Sequence, residues 1–485
     1  MEEQFLHALD SVPLKDIVKE EYRQYQIYTL MDRAIPYLED GLKPGQRRIL
    51  YTLWKNQSKG LIKVSAATGL VLTLHPHGPM SIESAIVNMA QDYTFSNNYP
   101  LISKKGYFGE RMETSPAAGR YIECKLSKFS DFLLFDDLNQ VKMIPNFDEK
   151  VMEPECLLPK LPLMLLNGAE GIGTGFSSVI PSFNHKDIVD LMIYFIQTGK
   201  SKKIHPYVHF YDEKIDREQS GKFLFHMRFE KIGESIYITE LPRNYDANKV
   251  YKFLNKHIEA DFIKDYVDST VENRVMIELL FKRGSTATLK EVQRVMKCSS
   301  SLVPNYTLIS ERGVRIFSRP EQIITHFTTR RLEIVQRRYE LRCLDLKEKI
   351  NQNNEIIKFI KKKEYEVATK KANRKAYVEY LAKKKYQYSD YLADMPIYRM
   401  TKDEVSKRIL MIKDDTAKLK LYTKIAKSKK LVEKKLIEEL LEVKEKMTEW
   451  IKKSDKDKEV IYKKMQKKKK PKLIKRTRAR KGKIV

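Results

Sequence analysis

The sequence predicts a mixed α/β protein with several domains, and three observations predict it. Short helical patterns joined by Gly/Pro turns occupy residues 1–154, strand-like runs follow over 155–320, and long heptad patterns begin at Glu321. The 485 residues exceed one ordinary domain, and 42% of them are hydrophobic, which is enough to bury several cores. The fold class is therefore an α/β assembly that ends in a long coiled coil.

The first region, residues 1–154, is predicted to be mainly helical with a few short strands. Periodic apolar residues predict helices over 22–38, 46–54 and 81–91, and Gly and Pro residues predict a turn over 41–45. Short helices joined by such turns are typical of a helix-turn-helix or winged-helix unit. We therefore expect a winged-helix domain in this region.

The second region, residues 155–320, is richer in β-branched and aromatic residues. Three runs predict strands, at residues 235–239, 275–281 and 313–317. Because polar and helical stretches separate these runs, the region predicts a mixed α/β domain.

The third region, residues 321–455, has apolar residues at steps of three, four or seven, which is the pattern of a coiled coil. Two such seams are separated by an apolar segment that Pro396 interrupts. Their members are Leu332, Val335, Tyr339, Cys343, Leu346, Ile350, Ile357 and Ile360 in the first seam and Leu436, Leu440, Val443, Met447 and Trp450 in the second. We expect the two helices to pair antiparallel, with the separating segment at their tip.

That tip segment, near residues 391–407, carries Met395, Ile397, Tyr398 and Met400. An ordinary helical hairpin would explain the seams by packing alone, whereas exposed apolar side chains at a tip indicate a dimerisation surface. We therefore expect a globular dimerisation gate that joins two copies of the chain.

The composition is strongly basic, because 92 Lys plus Arg against 64 Asp plus Glu give a net charge of +28. Such an excess indicates a polyanionic partner, with nucleic acid first and an acidic membrane surface second. Residues 463–485 hold thirteen basic side chains and no acid, within a segment, 456–485, that we expect to be disordered. That tail either binds phosphates nonspecifically through counterion release or serves solubility and localisation.

Several common signals are absent from the sequence. No run of about 18 apolar residues occurs and the N-terminus lacks an apolar signal core, so we expect a cytoplasmic, nucleoid-associated protein with no membrane partner. The four cysteines lack zinc-ligand spacing, and we expect reduced, packed thiols. The pattern G-x-x-x-x-G-K-[ST] is missing, so the chain is not expected to hydrolyse nucleotides by itself.

Two local patterns suggest binding sites. The segment His75-Pro76-His77-Gly78 places two imidazoles beside one turn, and a metal there would need Glu83 as a third ligand. Phosphate or sugar contacts are favoured, and a pair of hydrogen-bonded structural histidines is the alternative. The glycine-rich run 168–175 lacks the spacing of a dinucleotide site. Its glycines indicate a close approach to another backbone or to nucleic acid.

The dipeptide Arg120-Tyr121 follows a stretch of small residues, 115–118, that could expose a side chain to an approaching strand. Tyrosine is a weak nucleophile near neutral pH because its pKa is about 10. An adjacent cation is therefore needed to favour the phenolate and to neutralise charge at phosphorus, and Arg120 meets that need. On composition alone, a packed tyrosine is the simpler explanation.

Seven motifs, taken together and in this order, resemble the breakage-reunion region of type IIA DNA topoisomerases over about residues 20–455. The chain most resembles the medium subunit of phage topoisomerases, and it is also similar to the A subunits of gyrase and topoisomerase IV. The motifs are Arg33-Ala-Ile-Pro36, Asp40-Gly-Leu-Lys43-Pro44-x-x-Arg47-Arg48-Ile-Leu-Tyr51, His75-Pro-His77-Gly78, Met89-Ala-Gln91, Gly106-Tyr-Phe108-Gly109, Arg120-Tyr121-Ile-Glu, and Leu166-Asn167-Gly168-x-x-Gly171-Ile172-Gly-Thr-Gly175.

The resemblance implies a role for each matched residue. Tyr121 would attack a DNA phosphodiester and form a 5′-phosphotyrosyl bond, and Arg120 would stabilise the transition state. Ile172 would wedge between base pairs and bend the duplex. The other residues that would contact DNA are Lys43, His75, His77, Arg33 and Arg47.

The resemblance also implies an architecture and partners. The α/β region would be a tower domain, and a homodimer would cut double-stranded DNA so that a second duplex could pass and change DNA topology. The ATPase module and the acidic TOPRIM cluster of the family are not recognisable in this sequence. ATP and Mg²⁺ are therefore expected on a large-subunit partner of one or two chains. The alternative is a catalytically silent architectural DNA-binding protein that keeps the fold.

Overall fold

The structure, a computed structural model, describes residues 14–284 and 287–468. It divides into two units, one formed by residues up to Phe327 together with those from Leu441 onward, and one formed by Thr328–Leu440. The described α-helices are α1 (Leu14–Ile17), α2 (Arg23–Thr29), α3 (Pro44–Lys55), α4 (Val64–Val71), α5 (Pro79–Ala90), α6 (Lys128–Leu134), α7 (Leu163–Leu166), α8 (His185–Thr198), α9 (Ala247–Glu259), α10 (Leu289–Val295), α11 (Pro320–Lys361), α12 (Arg374–Lys383), α13 (Ser389–Ala393), α14 (Lys402–Lys427) and α15 (Lys429–Lys468).

Short antiparallel strands lie between these helices, so the mixed α/β class predicted from the sequence is confirmed. The strands are β1 (Ile62–Lys63), β2 (Ile102–Lys105), β3 (Glu123–Leu126), β4 (Met143–Pro145), β5 (Met152–Pro154), β6 (Ala169–Ile172), β7 (Ser177–Ile180), β8 (Asp216–Arg217), β9 (Phe223–His226), β10 (Arg228–Ile232), β11 (Ser235–Glu240), β12 (Asp265–Asp268), β13 (Ile277–Leu280), β14 (Ser299–Leu302), β15 (Tyr306–Ser310) and β16 (Gly313–Phe317). The larger sheets have the strand orders β1-β3-β2, β10-β11-β13-β12 and β14-β9-β8, and the pairs β4–β5, β6–β7 and β15–β16 form two-stranded ribbons.

The first helical stretch ends earlier than the sequence predicts. Two π-helical turns, Val18–Tyr22 and Leu30–Ala34, continue α1 and α2. The next residue, Ile35, is extended with φ −108° and ψ 137°. A residue before proline is disfavoured in the helical region, and Pro36 follows. The prediction of a helix to residue 38 is therefore wrong at its C-terminal end.

Helices α3 and α5 both begin at a proline. Pro44 starts α3 inside the predicted turn, and Pro79 starts α5 two residues before the predicted helix. Proline suits the first helical position because its missing N–H would have no partner there. The residue before α3, Lys43, is extended, and its backbone N–H donates to Oε1 of Gln46 at 3.0 Å.

The β-rich region contains the three predicted strands. Strand β16 has the predicted bounds, whereas β11 is one residue longer and β13 is shorter than predicted. The four-stranded sheet packs against α9 and α10 over an apolar core. The buried members of that core are Met227, Phe229, Ile236, Ile238, Leu241, Val250, Leu254, Ile263, Val275, Ile277, Leu279, Val292, Met296 and Cys298.

In the unit Thr328–Leu440, α11 runs antiparallel to α14 and to the first part of α15. Side-chain pairs show the direction. As the residue numbers on α11 increase, the residue numbers of their partners on α15 and α14 decrease. The pairs are Arg331 with Glu439 at 2.6 Å, Cys343 with Thr423 at 3.6 Å, and Asn353 with Arg408 at 2.6 Å. The predicted antiparallel pairing is confirmed by these contacts.

Residues 364–400 form a small insert around its own core. The insert combines α12, α13 and the 3₁₀ turns Glu364–Lys370 and Ile397–Met400. Met395, predicted at the exposed tip, is instead buried in that core, and Met400 packs against it. Ile397 and Tyr398 are exposed, as predicted. The buried core residues are Ile356, Phe359, Tyr377, Leu381, Tyr386, Leu392 and Met395.

Helix α15 continues to Lys468, so the predicted disorder of segment 456–485 is wrong for its first part. The rest of that segment, residues 469–485, lies outside the described residues. Among the described residues, no helix is both long enough and apolar enough to cross a membrane.

Candidate functional site

His75 lies just before α5 and is buried. Its Nδ1 accepts a hydrogen bond from Arg48 at 3.0 Å, and Arg48 in turn donates to both carboxylate oxygens of Glu153 at 2.8 and 2.9 Å. Burial, followed by the charges of His77, Arg48 and Arg33, lowers the pKa of His75 to about 4. His75 is therefore neutral at neutral pH, and the structure supports a positioning role for it.

His77 is only half-buried and lies edge-on to His75, with 4.3 Å between the ring centroids. Its Nδ1 is 3.4 Å from Nη2 of the exposed Arg33, and its Nε2 is 3.9 Å from Oδ2 of Asp32. The structure thus brings together three predicted site residues, Arg33, His75 and His77. Of these, Arg33 and His77 are open to an approaching phosphate.

Arg47 does not fit the role predicted for it. The side chain is 5% exposed, and its Nε donates to Oδ2 of Asp40 at 2.6 Å while its guanidinium lies 4.7 Å from the ring centre of Tyr37. Asp40 also accepts from the backbone N–H groups of Leu42 and Leu157, each at 3.0 Å. The pair ties α3 to distant segments, so the structure contradicts a direct contact between Arg47 and DNA.

The glycine-rich run forms the β6–β7 hairpin, which presses against the end of the first helical stretch. A Cβ added at Gly171 would lie 2.0 Å from the carbonyl oxygen of Ala34 and 3.5 Å from Nζ of Lys43. Only glycine allows this approach of backbone to backbone, as the sequence predicts. Burial lowers the pKa of Lys43, and the charge of Glu170 opposes that shift.

Ile172, the last residue of β6, is 89% exposed. Burying an isoleucine is favourable, so a side chain this exposed on a hairpin that the neighbouring backbone holds in place indicates a contact surface. Lys43 stands against the same strand at Gly171. An apolar side chain on the hairpin and a cation from the residue before α3 therefore lie on neighbouring elements, which suits insertion into a duplex with phosphate contacts beside it.

Tyr121 sits on a turn that two elements fix. Within the turn its N–H donates to the carbonyl oxygen of Ala118 at 2.9 Å. From outside, Oε1 of Glu83 on α5 accepts from the N–H of Gly119 at 2.9 Å, and the carbonyl of Gly119 accepts from Ser65 at 3.3 Å. The turn then leads directly into β3. Glu83, the third metal ligand considered for the histidine pair, is thus engaged by the Tyr121 turn.

Both members of the Arg120-Tyr121 pair are exposed, and Tyr121 is 65% exposed. The guanidinium carbon of Arg120 lies 4.7 Å from the ring centre of Tyr121. A cation so placed stabilises negative charge near the phenol and at a phosphate that approaches it. None of the hydrogen bonds described for His75 and His77 reaches this pair, so the structure presents two groups of site residues on separate segments.

The acidic residues near these groups already have cationic or backbone partners. Asp40 binds Arg47, Glu153 binds Arg48, and Glu83 binds Gly119. Within the described ranges, no group of three or more His, Cys, Asp or Glu side chains could hold a metal ion.

Three partners in this site were not predicted from the sequence. Arg48 and Glu153 orient His75, and Asp32 lies beside His77. Arg48 stands inside one of the motifs, next to Arg47. Its carboxylate partner is 105 residues away in the sequence, so no local spacing could have indicated the pair.

The sequence matches a known protein family over most of its length. The family model for the A subunit of DNA gyrase/topoisomerase IV matches residues 33–442, which is most of the chain. The chain belongs to this family. The matched range includes every candidate site residue, from Arg33 to Ile172, and the predicted membership of the type IIA topoisomerases is confirmed.

Relatives of this topoisomerase family member include DNA topoisomerase 2 proteins. The mitochondrial enzyme of Dictyostelium discoideum is 31% identical over 73% of this chain and 28% of its own length. DNA topoisomerase 2 of Saccharomyces cerevisiae is 29% identical over 84% of this chain and 30% of its own length. The chain thus spans less than a third of these two relatives.

A solved structure supports the same membership. The DNA-binding, cleavage and re-ligation domain of Plasmodium falciparum topoisomerase II superposes with a TM-score of 0.76 and 26% sequence identity. The superposition covers 90% of this chain and 65% of that one. The family member described here therefore has the fold of a topoisomerase cleavage domain.

Proposed function

We propose that the chain cleaves and rejoins DNA as part of an ATP-dependent type IIA DNA topoisomerase. The observation that carries the proposal is the exposed Arg120-Tyr121 pair on a turn that Glu83 fixes, within a chain of this family. The solved neighbour described as a DNA-binding, cleavage and re-ligation domain supports it. The substrate is double-stranded DNA, and the reaction changes DNA topology.

In the covalent step, Oη of Tyr121 attacks the phosphorus of a DNA phosphodiester. The Oη–P bond forms while the bond from phosphorus to the 3′ oxygen breaks. The phenol gives up its proton, and the leaving 3′ oxygen takes up a proton. The products are a 5′-phosphotyrosyl bond and a free 3′-hydroxyl. Arg120 offsets the charge that develops on the phosphoryl oxygens. Rejoining is the reverse attack by the 3′-hydroxyl.

The remaining site residues hold the duplex in this proposal. Lys43, Arg33 and His77 contact phosphates, because each places a donor or a cation on the accessible side of the site. Ile172 enters between base pairs and bends the duplex. His75 acts indirectly, because it accepts a hydrogen bond from Arg48 and packs against the ring of His77.

The domain boundaries belong to the same proposal. Residues 1–154 form the winged-helix cleavage domain, 155–320 the tower and 321–455 the coiled coil, with the dimerisation gate near 391–407. Two copies joined through Ile397 and Tyr398 make a staggered double-strand break, and a second duplex passes through it. The proposed location is the nucleoid in the cytoplasm.

Mg²⁺ and ATP are assigned to a partner chain that carries the TOPRIM and ATPase modules. The described residues contain no metal-holding cluster, and the sequence contains no G-x-x-x-x-G-K-[ST] loop. The relatives carry their activities on single longer chains, of which this chain spans less than a third. The resemblance to the phage medium subunit, whose partners are separate chains, supports the partner arrangement.

The test is a strand-polarity assay with the assembled enzyme, a TOPRIM-bearing partner and Mg²⁺. A duplex labelled at a 3′ end should give a label that stays with the protein in denaturing gels, while a 5′ label should appear on a shorter free fragment. Tyr121→Phe should abolish both products because phenylalanine lacks Oη. Tyr25→Phe is the matched control, since Tyr25 is 61% exposed and lies outside the site.

Two outcomes would overturn the proposal. An adduct that persists unchanged in Tyr121→Phe would exclude Tyr121 as the nucleophile. Duplex bending without any adduct, under every partner condition, would favour a silent architectural DNA-binding protein.

A further inference from the structure

The end of α11 and the first part of the insert, residues 361–385, carry a dense positive charge that the proposed cleavage does not use. Residues 361–385 contain nine lysines and one arginine against three glutamates, a net charge of +7. Most of these lysines are exposed. Exposed lysines are often simply hydrated. Whether these lysines form a binding surface depends on where the acids and the ammonium groups lie.

Two of the three glutamates are already engaged, and the third, Glu379, is exposed. Glu364 is buried, and its Oε2 accepts from the hydroxyl of Tyr380 at 2.8 Å. Glu366 pairs with Lys363, with 3.4 Å between Nζ and the carboxylate. Arg374 forms ion pairs with Asp390 on α13 and with Asp394, the residue directly after α13. Within the described chain, the other lysines of 361–385 form no ion pair.

Tyr380 lies beside two lysines that are distant in sequence. Its ring lies 4.7 Å from Nζ of Lys371 and 5.7 Å from Nζ of Lys384, and Lys384 has a lysine on either side of it in sequence. Its hydroxyl binds Glu364, which directly follows the run Lys361-Lys362-Lys363. Tyr380 therefore contacts lysines from two separate segments, and its partner Glu364 adjoins a third lysine run in the sequence.

The spacing suits a polyanion. The ammonium groups of Lys371 and Lys384 are at most about 10 Å apart, a distance over which a duplex with one charge per ~1.7 Å of axis offers several phosphates. Lysine acts on phosphate as a point charge without base readout. A DNA duplex of any base sequence can therefore bind these lysines through its phosphates.

We propose that the lysines around Tyr380 form a second DNA-binding surface, which holds the phosphate backbone of a duplex without sequence preference. We call it the Tyr380 patch: Lys361, Lys362, Lys363, Lys371, Lys383, Lys384 and Lys385. None of these lysines is among the residues assigned to cleavage, and the surface does not depend on the chemistry of Tyr121.

The test is lysine footprinting of the full chain as the Tyr121→Phe variant, so that cleavage plays no part. Acetylation of each lysine is measured by peptide mass spectrometry with and without a saturating duplex of about 30 base pairs. Lysines of the Tyr380 patch should be protected severalfold, and high salt should remove the protection. Lys413, Lys418 and Lys420 are exposed on α14 and should label equally in both conditions.

A pair of matched variants adds an energetic measurement. Lys371→Gln, Lys384→Gln and Lys385→Gln combined should reduce the slope of log affinity against log salt by about 0.9 for each phosphate that is no longer neutralised, up to about 3. The control changes Lys413, Lys418 and Lys420 to Gln, which removes the same charge and should leave the slope near that of the parent. Helical content of both variants should match the parent.

Equal labelling of the Tyr380 patch with and without duplex would overturn the proposal, as would equal slopes for the two triple variants. Protection by vesicles of phosphatidylserine and phosphatidylcholine but not by duplex would also overturn it, because the surface would then bind membranes. Loss of the adduct in Tyr121→Phe with no protection of the patch would leave the proposed cleavage standing and remove this surface alone.

Discussion

Gly119 sets how closely the turn that bears Tyr121 approaches helix α5. A Cβ added there would lie 2.5 Å from Oε1 of Glu83, the atom that accepts from the N–H of Gly119. Gly119→Ala should therefore push the carboxylate away and break that hydrogen bond. We expect a loss of about 1–2 kcal/mol in the free energy of unfolding and a marked fall in adduct yield.

Adduct yield in the strand-polarity assay and thermal unfolding measure this effect. Gly69→Ala is the control, because Gly69 lies in α4 and an added Cβ would meet nothing within 4 Å. That change should stabilise the helix by about 0.5–1 kcal/mol and leave cleavage unchanged. An unchanged adduct yield in Gly119→Ala would show that the contact to Glu83 does not position Tyr121.

His75 should make stability depend on pH within a defined window. Its pKa is lowered from 6.5 to about 4 in the folded protein, so between these values the unfolded chain binds more protons than the folded one. The free energy of unfolding should therefore rise with pH from about 4 to 6.5 and then level off. His75→Gln should flatten that rise by at most about 3 kcal/mol, since one pKa unit corresponds to about 1.4 kcal/mol.

Urea unfolding across this pH range measures the difference. His185 is the control, because burial lowers its pKa to about 4 as well, while its ring contacts Tyr99 and Thr448. His185→Gln should flatten the same rise without weakening DNA binding, whereas His75→Gln should do both. Parallel profiles for the parent and His75→Gln would exclude the buried neutral state of His75.

At the scale of elements, the sequence predicted best where local signals agree. Strand β16 was predicted to the residue because Gly313 opens an alternating run that ends before Pro320. The helix over 22–38 was predicted too long because the apolar period continues past Ala34 while Pro36 forces Ile35 out of the helix. Periodicity alone does not report such backbone restrictions.

The candidate site was predictable only in part, for a related reason. Residue types at motif positions indicated Tyr121, Arg120 and Ile172, and the structure leaves all three exposed. Burial could not be read from type, so Arg47 was assigned to DNA although Asp40 holds it inside. Contacts between distant segments, such as Glu83 with Gly119, have no local signature.

The β6–β7 hairpin carries its own prediction. Ile172→Ala should reduce DNA bending and adduct yield, because the wedge between base pairs loses most of its apolar surface. The fold should be unaffected, since the side chain is 89% exposed. Fluorescence transfer between dyes at the two ends of a duplex measures the bend.

Ile316→Ala on strand β16 is the matched control for this change, because that isoleucine is 65% exposed and lies on another two-stranded ribbon. It should leave bending and cleavage as in the parent. If Ile172→Ala bends the duplex as far as the parent does, the hairpin contacts DNA without inserting into it.

At the scale of the whole molecule, the net charge of +28 divides among parts with different tasks. Some cations are internal, as Arg47 with Asp40 and Arg331 with Glu439 show, and these hold segments together. Others are exposed beside the cleavage residues or on the Tyr380 patch. Charge that is paired and buried contributes nothing to the salt dependence of DNA binding, so net charge alone overstates how many phosphates the chain neutralises.

The basic C-terminal segment tests this division most directly. Residues 469–485 contain nine Lys and Arg and no acid, so their deletion should lower affinity for duplex DNA and reduce the salt slope by about 0.9 for each phosphate that is no longer neutralised. Cleavage at low salt should persist, because Tyr121, Arg120 and Lys43 remain. Changing the nine cations to Gln keeps the length and should reproduce the deletion. If either variant abolishes the adduct at low salt, this segment does more than release counterions, and it belongs to the cleavage machinery.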